Sequence, residues 1–285
     1  MAILGTALVP HPPLIVPQVG RGGEEVIRET TAAFRQASEF IAGLKPDTVV
    51  IVSPHSAMYR DWLHISPGEG AAGSLARFGA PGVRFAVRYD AELVGETEKL
   101  CVERGIPAGS QGERDPALDH GTLVPLYFLH ESCPGGWPFR FVRVGLSGLP
   151  FETHWRLGTA LRDAAERLGR RVAIIASGDL SHYLREDGPY GLRPEGSAYD
   201  ARVMGILSRG ALGELKDMHE DFCDKAGECG HRSLLVMAGA LEGLDVQAKA
   251  LSYEGVTGVG YGVATFLPVD AGDGGYEIQW RAYEQ

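Results

Sequence analysis

Long apolar runs are missing from this 285-residue chain, and so is any block of basic residues. No apolar stretch approaches the roughly 18 residues that a membrane-spanning helix requires. Acidic residues outnumber basic ones, which gives a formal net charge of −10 at pH 7. Such a balance disfavours binding to nucleic acid or to an anionic membrane surface. We therefore expect a protein that binds neither nucleic acid nor membranes.

Cysteines are few, and no two of them are spaced as a CxxC pair: they stand at Cys101, Cys133, Cys223 and Cys229. This scatter argues against a disulfide framework and against a cysteine-rich structural zinc site, and it predicts reduced thiols and a cytoplasmic location. The motifs GxxxxGK[ST], GxSxG and HExxH are also missing. Their absence excludes the simplest assignments to a P-loop nucleotidase, an α/β-hydrolase or a zinc protease.

Short β-rich runs alternate with longer helical patterns along the chain. Residues 48–52 read TVVIV, a β-branched run typical of strands buried on both faces. Further strands are predicted at residues 3–9, 83–87, 139–144, 172–176, 248–253 and 260–266, and helices at 24–44, 91–104, 153–168, 198–208 and 229–241. The alternation predicts a single α/β domain over residues 1–270, with a mostly parallel central sheet flanked by helices on both faces. Residues 271–285 are expected to form a C-terminal tail.

Three of the predicted strands are each followed by a histidine: His11 in PHPP, His55 in SPHS and His182 in SGDLSH. In open α/β sheets, ligands bind beyond the carboxyl ends of the strands, where these side chains would meet. A single histidine is usually structural, but three at equivalent strand ends predict a shared site. Imidazole ligands favour a transition metal of the Fe, Zn, Ni or Cu class over Mg²⁺ or Ca²⁺.

For other polar residues near these segments, the sequence allows both a functional and a purely structural role. Glu228, at the start of a predicted helix, could complete a metal site or merely complement the helix dipole. Asp119 could be no more than a helix cap, while His120 next to it is a candidate substrate contact. Arg114 and Arg232 are candidates to pair with a substrate carboxylate, although a solvated surface charge is the commoner role.

Five short motifs occur together in one order along the chain. They are VPHPP with His11, SPHS with His55, LDHGTLVPL with His120, SGDLSH with His182, and GECGHRSLLVMAGAL with Glu228. In this combination the chain resembles the class III extradiol ring-cleavage dioxygenases. More narrowly, it is similar to their LigB-like catalytic-subunit superfamily, which also contains the Memo-type proteins. The resemblance runs from about residue 3 to residue 268.

The resemblance implies a role for each motif residue. His11, His55 and Glu228 would hold a non-haem Fe(II), with Zn, Cu or Mn as alternative metals. His182 would be the acid–base residue, and His120 with Asp119 would line the substrate site. Memo-type relatives place a cysteine in the last motif, so Cys229 is the alternative third ligand. Two histidines and one carboxylate leave coordination positions open, an arrangement suited to oxygen-activating Fe(II).

The expected function is therefore that of an extradiol ring-cleavage dioxygenase, which acts on a small catecholic or aminophenolic aromatic with O2. Two alternatives stay open: a Memo-like copper- or iron-binding protein without ring-cleaving activity, and a zinc-dependent hydrolase on the same scaffold. Substrate specificity is expected to lie in loops such as residues 59–80. A homodimer is the expected oligomer, since soluble oligomers are commonly twofold.

Overall fold

A mixed six-stranded sheet forms the middle of the computed structural model, which describes residues 1–269. The predicted boundary at residue 270 and the predicted tail at 271–285 lie outside the described residues. The strands are β1 (Ile3–Val9), β2 (Thr48–Ser53), β3 (Leu63–His64), β4 (Gly70–Leu75), β5 (Ala80–Arg88), β6 (Ala108–Gly109), β7 (Arg140–Gly145), β8 (Val172–Ser177), β9 (Asp245–Glu254) and β10 (Tyr261–Val269). The α-helices are α1 (Pro17–Gly20), α2 (Arg28–Gly43), α3 (Ala91–Glu103), α4 (His120–Ser132), α5 (Phe151–Arg167), α6 (Pro194–Arg209), α7 (Glu220–Ala226) and α8 (His231–Ala240).

The order of strands across the central sheet is β7-β2-β8-β1-β10-β9. The first four strands are parallel, and β10 runs antiparallel to both of its neighbours, β1 and β9. The mostly parallel sheet predicted from the sequence is therefore confirmed. Because β1, β2 and β8 run in the same direction, the segments that follow them leave the sheet at the same edge.

Helices cover both faces of this sheet, as predicted. Alternate residues of a strand point to opposite faces, so Val50 and Val52 of β2 lie in one apolar core and Val49 and Ile51 lie in another. The first core is completed by α3, α5, α6 and α8, and the second by α2 and α4. This double cover explains why β2 is apolar throughout, and it confirms a single α/β domain.

Several elements depart from the sequence prediction, and two of these departures lie beside the cavity described below. The strand predicted at residues 83–87 is the longer β5, which pairs with β4 in a separate two-stranded antiparallel sheet instead of joining the central one. Helix α4 was not predicted, because its residues are almost uniformly apolar and include Pro125, so they carry no amphipathic pattern. The Asp119 carboxylate caps it by accepting a hydrogen bond from the Thr122 backbone N–H.

Within residues 1–269, no helix combines the length and the apolar character needed to cross a bilayer.

Candidate metal centre

His11 is held rigidly just beyond the end of β1. Prolines on both sides restrict its backbone, and its side chain is almost completely buried, with 2% of the residue exposed. Its backbone N–H donates a hydrogen bond of 2.8 Å to Oδ1 of Asp179, which follows β8. The ends of β1 and β8 are therefore tied together at this point.

The tautomer of His11 follows from its hydrogen bond to Ser177. The Ser177 hydroxyl donates to the carbonyl oxygen of Gly121 at 2.6 Å, so it can only accept from Nδ1 of His11, 3.0 Å away. The ring proton of a neutral His11 is thereby placed on Nδ1, and Nε2 presents a lone pair. A metal-ligating histidine is typically oriented by such a partner on its other ring nitrogen.

A second imidazole faces this lone pair. His55 follows β2, and its Nε2 lies 3.0 Å from Nε2 of His11. Two ring nitrogens that each lie about 2.1 Å from one ion, at a right angle, would be about 3.0 Å apart. Two lone pairs at this distance repel each other unless a proton or a cation lies between them. The pair therefore fits a shared transition-metal ion.

His120, the first residue of α4, adds a third imidazole. Its ring centroid is 3.9 Å from that of His55, and the ligand nitrogens of His11, His55 and His120 all lie within 4.8 Å of one another. Loss of hydration, together with the nearby imidazoles, lowers the pKa of both His55 and His120, the latter to about 4. Both rings are therefore neutral near pH 7, which is the form that binds metals.

A second group of ligand atoms shares His11 with Asp179 and Cys229. The Cys229 sulfur is 3.6 Å from Nε2 of His11 and accepts a hydrogen bond from the Asp179 backbone N–H at 3.3 Å. Burial raises the pKa of this thiol well above its ordinary value. The segment that carries Cys229 can pack this closely against the end of β8 because residue 178 is a glycine. Any Cβ atom at Gly178 would overlap the backbone of Gly230.

Glu228, the third ligand predicted from the family resemblance, lies just before α8. Its carboxylate accepts a hydrogen bond from the backbone N–H of His231, the first residue of α8, and so caps that helix. Burial raises the pKa of Glu228 to about 7, against the lowering effect of that hydrogen bond. Within residues 1–269, neither of the two ligand groups contains Glu228.

His182 lies beside the centre and outside both ligand groups. Its Nε2 is 3.8 Å from Oδ2 of Asp179, and its ring packs against Tyr190 with centroids 5.2 Å apart. Burial alone would raise the pKa of Asp179, but His11 and His182 outweigh that effect and lower it. Asp179 therefore contacts His11 through one oxygen and faces His182 through the other.

A cavity of about 990 Å³ opens beside these histidines. His55, His120 and Asp119 line one side of it, and the β4–β5 hairpin lines the other. The Phe78 ring of the hairpin lies 5.2 Å from the His120 ring, centroid to centroid. Part of the segment at residues 59–80, where specificity was expected, thus reaches this cavity.

Several residues of the site were missed in the sequence. Ser53 and Ser177 are each the last residue of an apolar parallel strand. A polar hydroxyl at the carboxyl end of such a strand could have identified both residues from the sequence. Ser53 donates to Oδ1 of Asp119 at 2.5 Å and so links the end of β2 to the cap of α4. The arginines on the cavity wall are Arg77, Arg84 and Arg143.

The two arginines considered from the sequence lie elsewhere. Arg114 stacks over the Tyr59 ring, 4.8 Å from its centroid, and Arg232 pairs with Glu220 at 3.2 Å. Neither of them lines the cavity.

Comparison with known proteins identifies the family of the chain. Residues 5–264 match the family described as the catalytic LigB subunit of aromatic ring-opening dioxygenase. The chain belongs to this family. The resemblance inferred from the five motifs is thereby confirmed.

Three related proteins cover different shares of the chain. Protein CA_C1420 of Clostridium acetobutylicum is 37% identical over 270 residues, which cover 92% of this chain but only 57% of that protein. The chain thus spans little more than half of this relative. The 2-aminophenol 1,6-dioxygenase beta subunit of a Pseudomonas species is 25% identical over 309 residues, 95% of each chain. The MEMO1 family protein MJ0403 of Methanocaldococcus jannaschii is 25% identical and covers 78% of this chain and 69% of its own length.

A solved structure shares the fold. The crystal structure of an uncharacterised Escherichia coli K12 protein superposes with a TM-score of 0.59 at 16% identity, covering 93% of this chain and 99% of that one.

Proposed function

We propose that this protein is an extradiol ring-cleavage dioxygenase that uses Fe(II) and O2 to open a catecholic or aminophenolic ring. The observation that carries the proposal is the 3.0 Å approach of the Nε2 atoms of His11 and His55 at the cavity, with the tautomer of His11 set by Ser177. The family and the relative named as a 2-aminophenol dioxygenase subunit support the same chemistry.

In this proposal His11 and His55 are two of the metal ligands. The third comes from the segment at residues 228–229, and the contact between the Cys229 sulfur and His11 favours the cysteine over the Glu228 predicted from the family resemblance. When bound, Fe(II) would act as a Lewis acid for the substrate oxygens and as the electron conduit to O2.

The remaining side chains would handle protons and orient the substrate. His182 would accept a proton from a substrate hydroxyl at a ring nitrogen and later return it, and the ionised Asp179 would stabilise its protonated form. His120, neutral and on the cavity wall, would hydrogen-bond a substrate oxygen. Asp119 would line the substrate site and fix the start of α4, and hence His120.

The direct test is oxygen consumption after anaerobic reconstitution with Fe(II), using a panel of catechols and 2-aminophenols. We expect O2 uptake with at least one compound, coupled to an absorbing ring-opened product, and loss of uptake in His11→Ala. His219→Ala is the matched control, because His219 is exposed and its side chain makes no capping hydrogen bond. Stable Fe(II) binding without O2 uptake on any compound of the panel would refute the proposal.

The second candidate is a Memo-like metal-binding protein without ring-cleaving activity. It is favoured by the Cys229–His11 contact and by the MEMO1 family relative. Binding of copper or iron through Cys229, together with a negative oxygen-uptake panel, would support it over the dioxygenase.

A further inference from the structure

We propose that His64 is held as an imidazolium by the connecting segment between β6 and α4, residues 110–119, and that this charge fastens the segment along the cavity as a proton-dependent clamp. The connecting segment carries Ala117 and Leu118 to the cavity wall and leads directly into His120. The clamp acts on the shape of the cavity, so it goes beyond the proposed dioxygenase reaction and does not require it.

His64 is a fully buried histidine on the short strand β3. This strand pairs with β6, and both ring nitrogens of His64 face the chain that follows β6. Nδ1 lies 3.1 Å from the carbonyl oxygen of Gln111, and Nε2 lies 3.2 Å from Oε2 of Glu113. The side chain of His64 is 0% exposed, so bulk water reaches neither nitrogen.

Both partners of the His64 ring are hydrogen-bond acceptors. A carbonyl oxygen has no proton to donate, and an ionised carboxylate has none either. A neutral imidazole carries one N–H, so whichever nitrogen holds it, the other nitrogen would direct a lone pair at an oxygen. Protons on both nitrogens satisfy the two partners at once, and this is the imidazolium form. The contact with Glu113 is then a charge-assisted hydrogen bond.

The charges around His64 balance when its ring is protonated. Arg143 of β7 lies 3.4 Å from the same oxygen of Glu113 and 3.8 Å from Oδ2 of Asp119. A cation at this distance favours an ionised Glu113 over the alternative in which that carboxyl group holds the proton. Two cations, His64 and Arg143, then face two carboxylates, whereas a neutral His64 would leave this largely buried cluster with an excess negative charge.

The second oxygen of Glu113 makes the contact with His64 more important. Oε1 is buried and has no hydrogen-bond partner within residues 1–269. The carboxylate is therefore stabilised through Oε2, which His64 and Arg143 share. A buried carboxylate that loses one of two charged partners becomes costly to keep in place.

Four further titratable groups lie around β3 and the connecting segment: Tyr59, Tyr89, Glu98 and Arg114. A tyrosine carries no charge near pH 7, and burial raises the pKa of the Tyr89 phenol further. Glu98 of α3 accepts a hydrogen bond of 2.5 Å from the Ser110 backbone N–H. Arg114 stacks over the Tyr59 ring and is exposed, so solvent screens its charge. Glu113 is therefore the anion that directly compensates His64.

Other contacts hold the end of the connecting segment nearest to α4. The Leu118 backbone N–H donates to the carbonyl oxygen of Ala72 in β4 at 3.0 Å, and Arg143 donates to the carbonyl oxygen of Ala117 at 2.7 Å. Amides and guanidinium groups keep their protons between pH 6 and pH 10, whereas an imidazole can lose one. Loss of the second ring proton of His64 replaces an attraction by a repulsion between lone pairs, and the segment opens more readily.

The first test is NMR spectroscopy of the histidine side chains in the full-length chain, without added metal or substrate. The His64 signals are assigned by their absence in His64→Gln. At pH 7 we expect protons on both ring nitrogens of His64 in wild type. In Glu113→Gln we expect a proton on Nδ1 only, because a side-chain amide can donate to Nε2. A single protonated nitrogen in wild type would overturn the proposal.

The second test is hydrogen exchange of the Leu118 backbone amide, expressed as a protection factor so that the intrinsic effect of pH is removed. At pH 6, His64→Gln should lower the protection about tenfold, since a hydrogen bond between charged groups is lost. In wild type the protection should fall by a similar factor as the pH rises and the second ring proton is lost. Equal protection in wild type and both variants, or a fall in wild type that does not follow the ring proton, would refute the clamp.

His219→Gln and Glu69→Gln are the matched controls, because both residues are exposed and lie outside the connecting segment. Both controls should give the wild-type result in each measurement. If the buried substitution His64→Gln prevents folding, Glu113→Gln decides alone: its side chain is 17% exposed, and the His64 signals are those that change in it. Neither measurement involves O2 uptake, so the clamp and the dioxygenase proposal can be refuted separately.

Discussion

The Ser177 hydroxyl accepts a hydrogen bond from Nδ1 of His11 while it donates one to the carbonyl oxygen of Gly121. One side chain at the end of β8 thus orients the imidazole that follows β1 and anchors the first turn of α4. Three elements that are distant in sequence are fixed by a hydroxyl group that the motif pattern did not single out.

Removing that hydroxyl should weaken metal binding. In Ser177→Ala, Nδ1 of His11 loses its acceptor, so the tautomer and ring orientation are no longer fixed, and we expect a loss of about 10- to 100-fold in metal affinity. Anaerobic titration with Fe(II), or with Co(II) as a spectroscopic substitute, measures it. Ser233→Ala is the matched control, because Ser233 is also buried and its hydroxyl has no partner within residues 1–269. Equal affinity in Ser177→Ala and wild type would contradict the role assigned to Ser177.

Substitutions at two neighbouring positions distinguish Cys229 from Glu228 as the third metal ligand. Cys229→Ala should lose most of the bound metal, because the sulfur contacts His11 directly. Glu228→Gln should retain the metal and instead lower the free energy of unfolding by about 1 kcal/mol, as a weakened cap of α8 would.

Elemental analysis measures the metal content of each variant. Urea unfolding of the metal-free proteins measures the free energy of unfolding. Metal loss confined to Glu228→Gln would reverse the assignment and support the carboxylate ligand that the family resemblance implies. Loss in both variants would mean that the two residues jointly maintain the site.

Substitution of His182 should affect turnover more than metal binding. His182 lies outside both ligand groups and faces Asp179, so His182→Gln should keep the metal content of wild type and lower kcat by about 100- to 10,000-fold. Metal analysis and oxygen-electrode kinetics on the best substrate of the panel measure the two quantities. An unchanged kcat, or a loss of metal equal to that of His11→Ala, would be inconsistent with an acid–base role.

The stability of the protein should depend on the protonation of Asp200, a residue outside the candidate metal centre. Asp200 is 1% exposed, and burial raises its pKa to about 6, although Ser181 and Tyr253 donate hydrogen bonds to it. The folded state therefore binds this proton more tightly than the unfolded chain. The resulting stabilisation is fully present below about pH 4 and is lost as the pH rises through about 6.

Asp200→Asn removes this titration. Between pH 4 and pH 7.5, the free energy of unfolding of wild type should fall relative to the variant by at most about 3 kcal/mol. Urea unfolding, followed by tryptophan fluorescence at each pH, gives the difference in the free energy of unfolding between wild type and variant. The contributions of the other titrating groups cancel in this difference. Asp217→Asn, at an exposed position, should show no such trend. A difference that stays constant with pH would rule out the raised pKa.

The sequence by itself determined the architecture and predicted which histidines lie at the same edge of the sheet. Apolar β-branched runs such as residues 48–52 are buried on both faces of a sheet, which only a parallel arrangement with helices on each side provides. Histidines at the ends of β1 and β2 had to meet, because parallel strands deliver their following residues to one edge.

Only the tertiary structure decided the finer positions. Whether Glu228 or Cys229 faces His11 depends on the path of a few residues before α8, which the close packing of Gly178 against Gly230 sets. The position of Arg77 and Arg84 on the cavity wall could not be predicted from the sequence either. Both belong to the β4–β5 hairpin, and no sequence pattern indicates that these two strands pair with each other and not with the central sheet. Local patterns specify which face of an element is buried, but they do not specify which other element it meets.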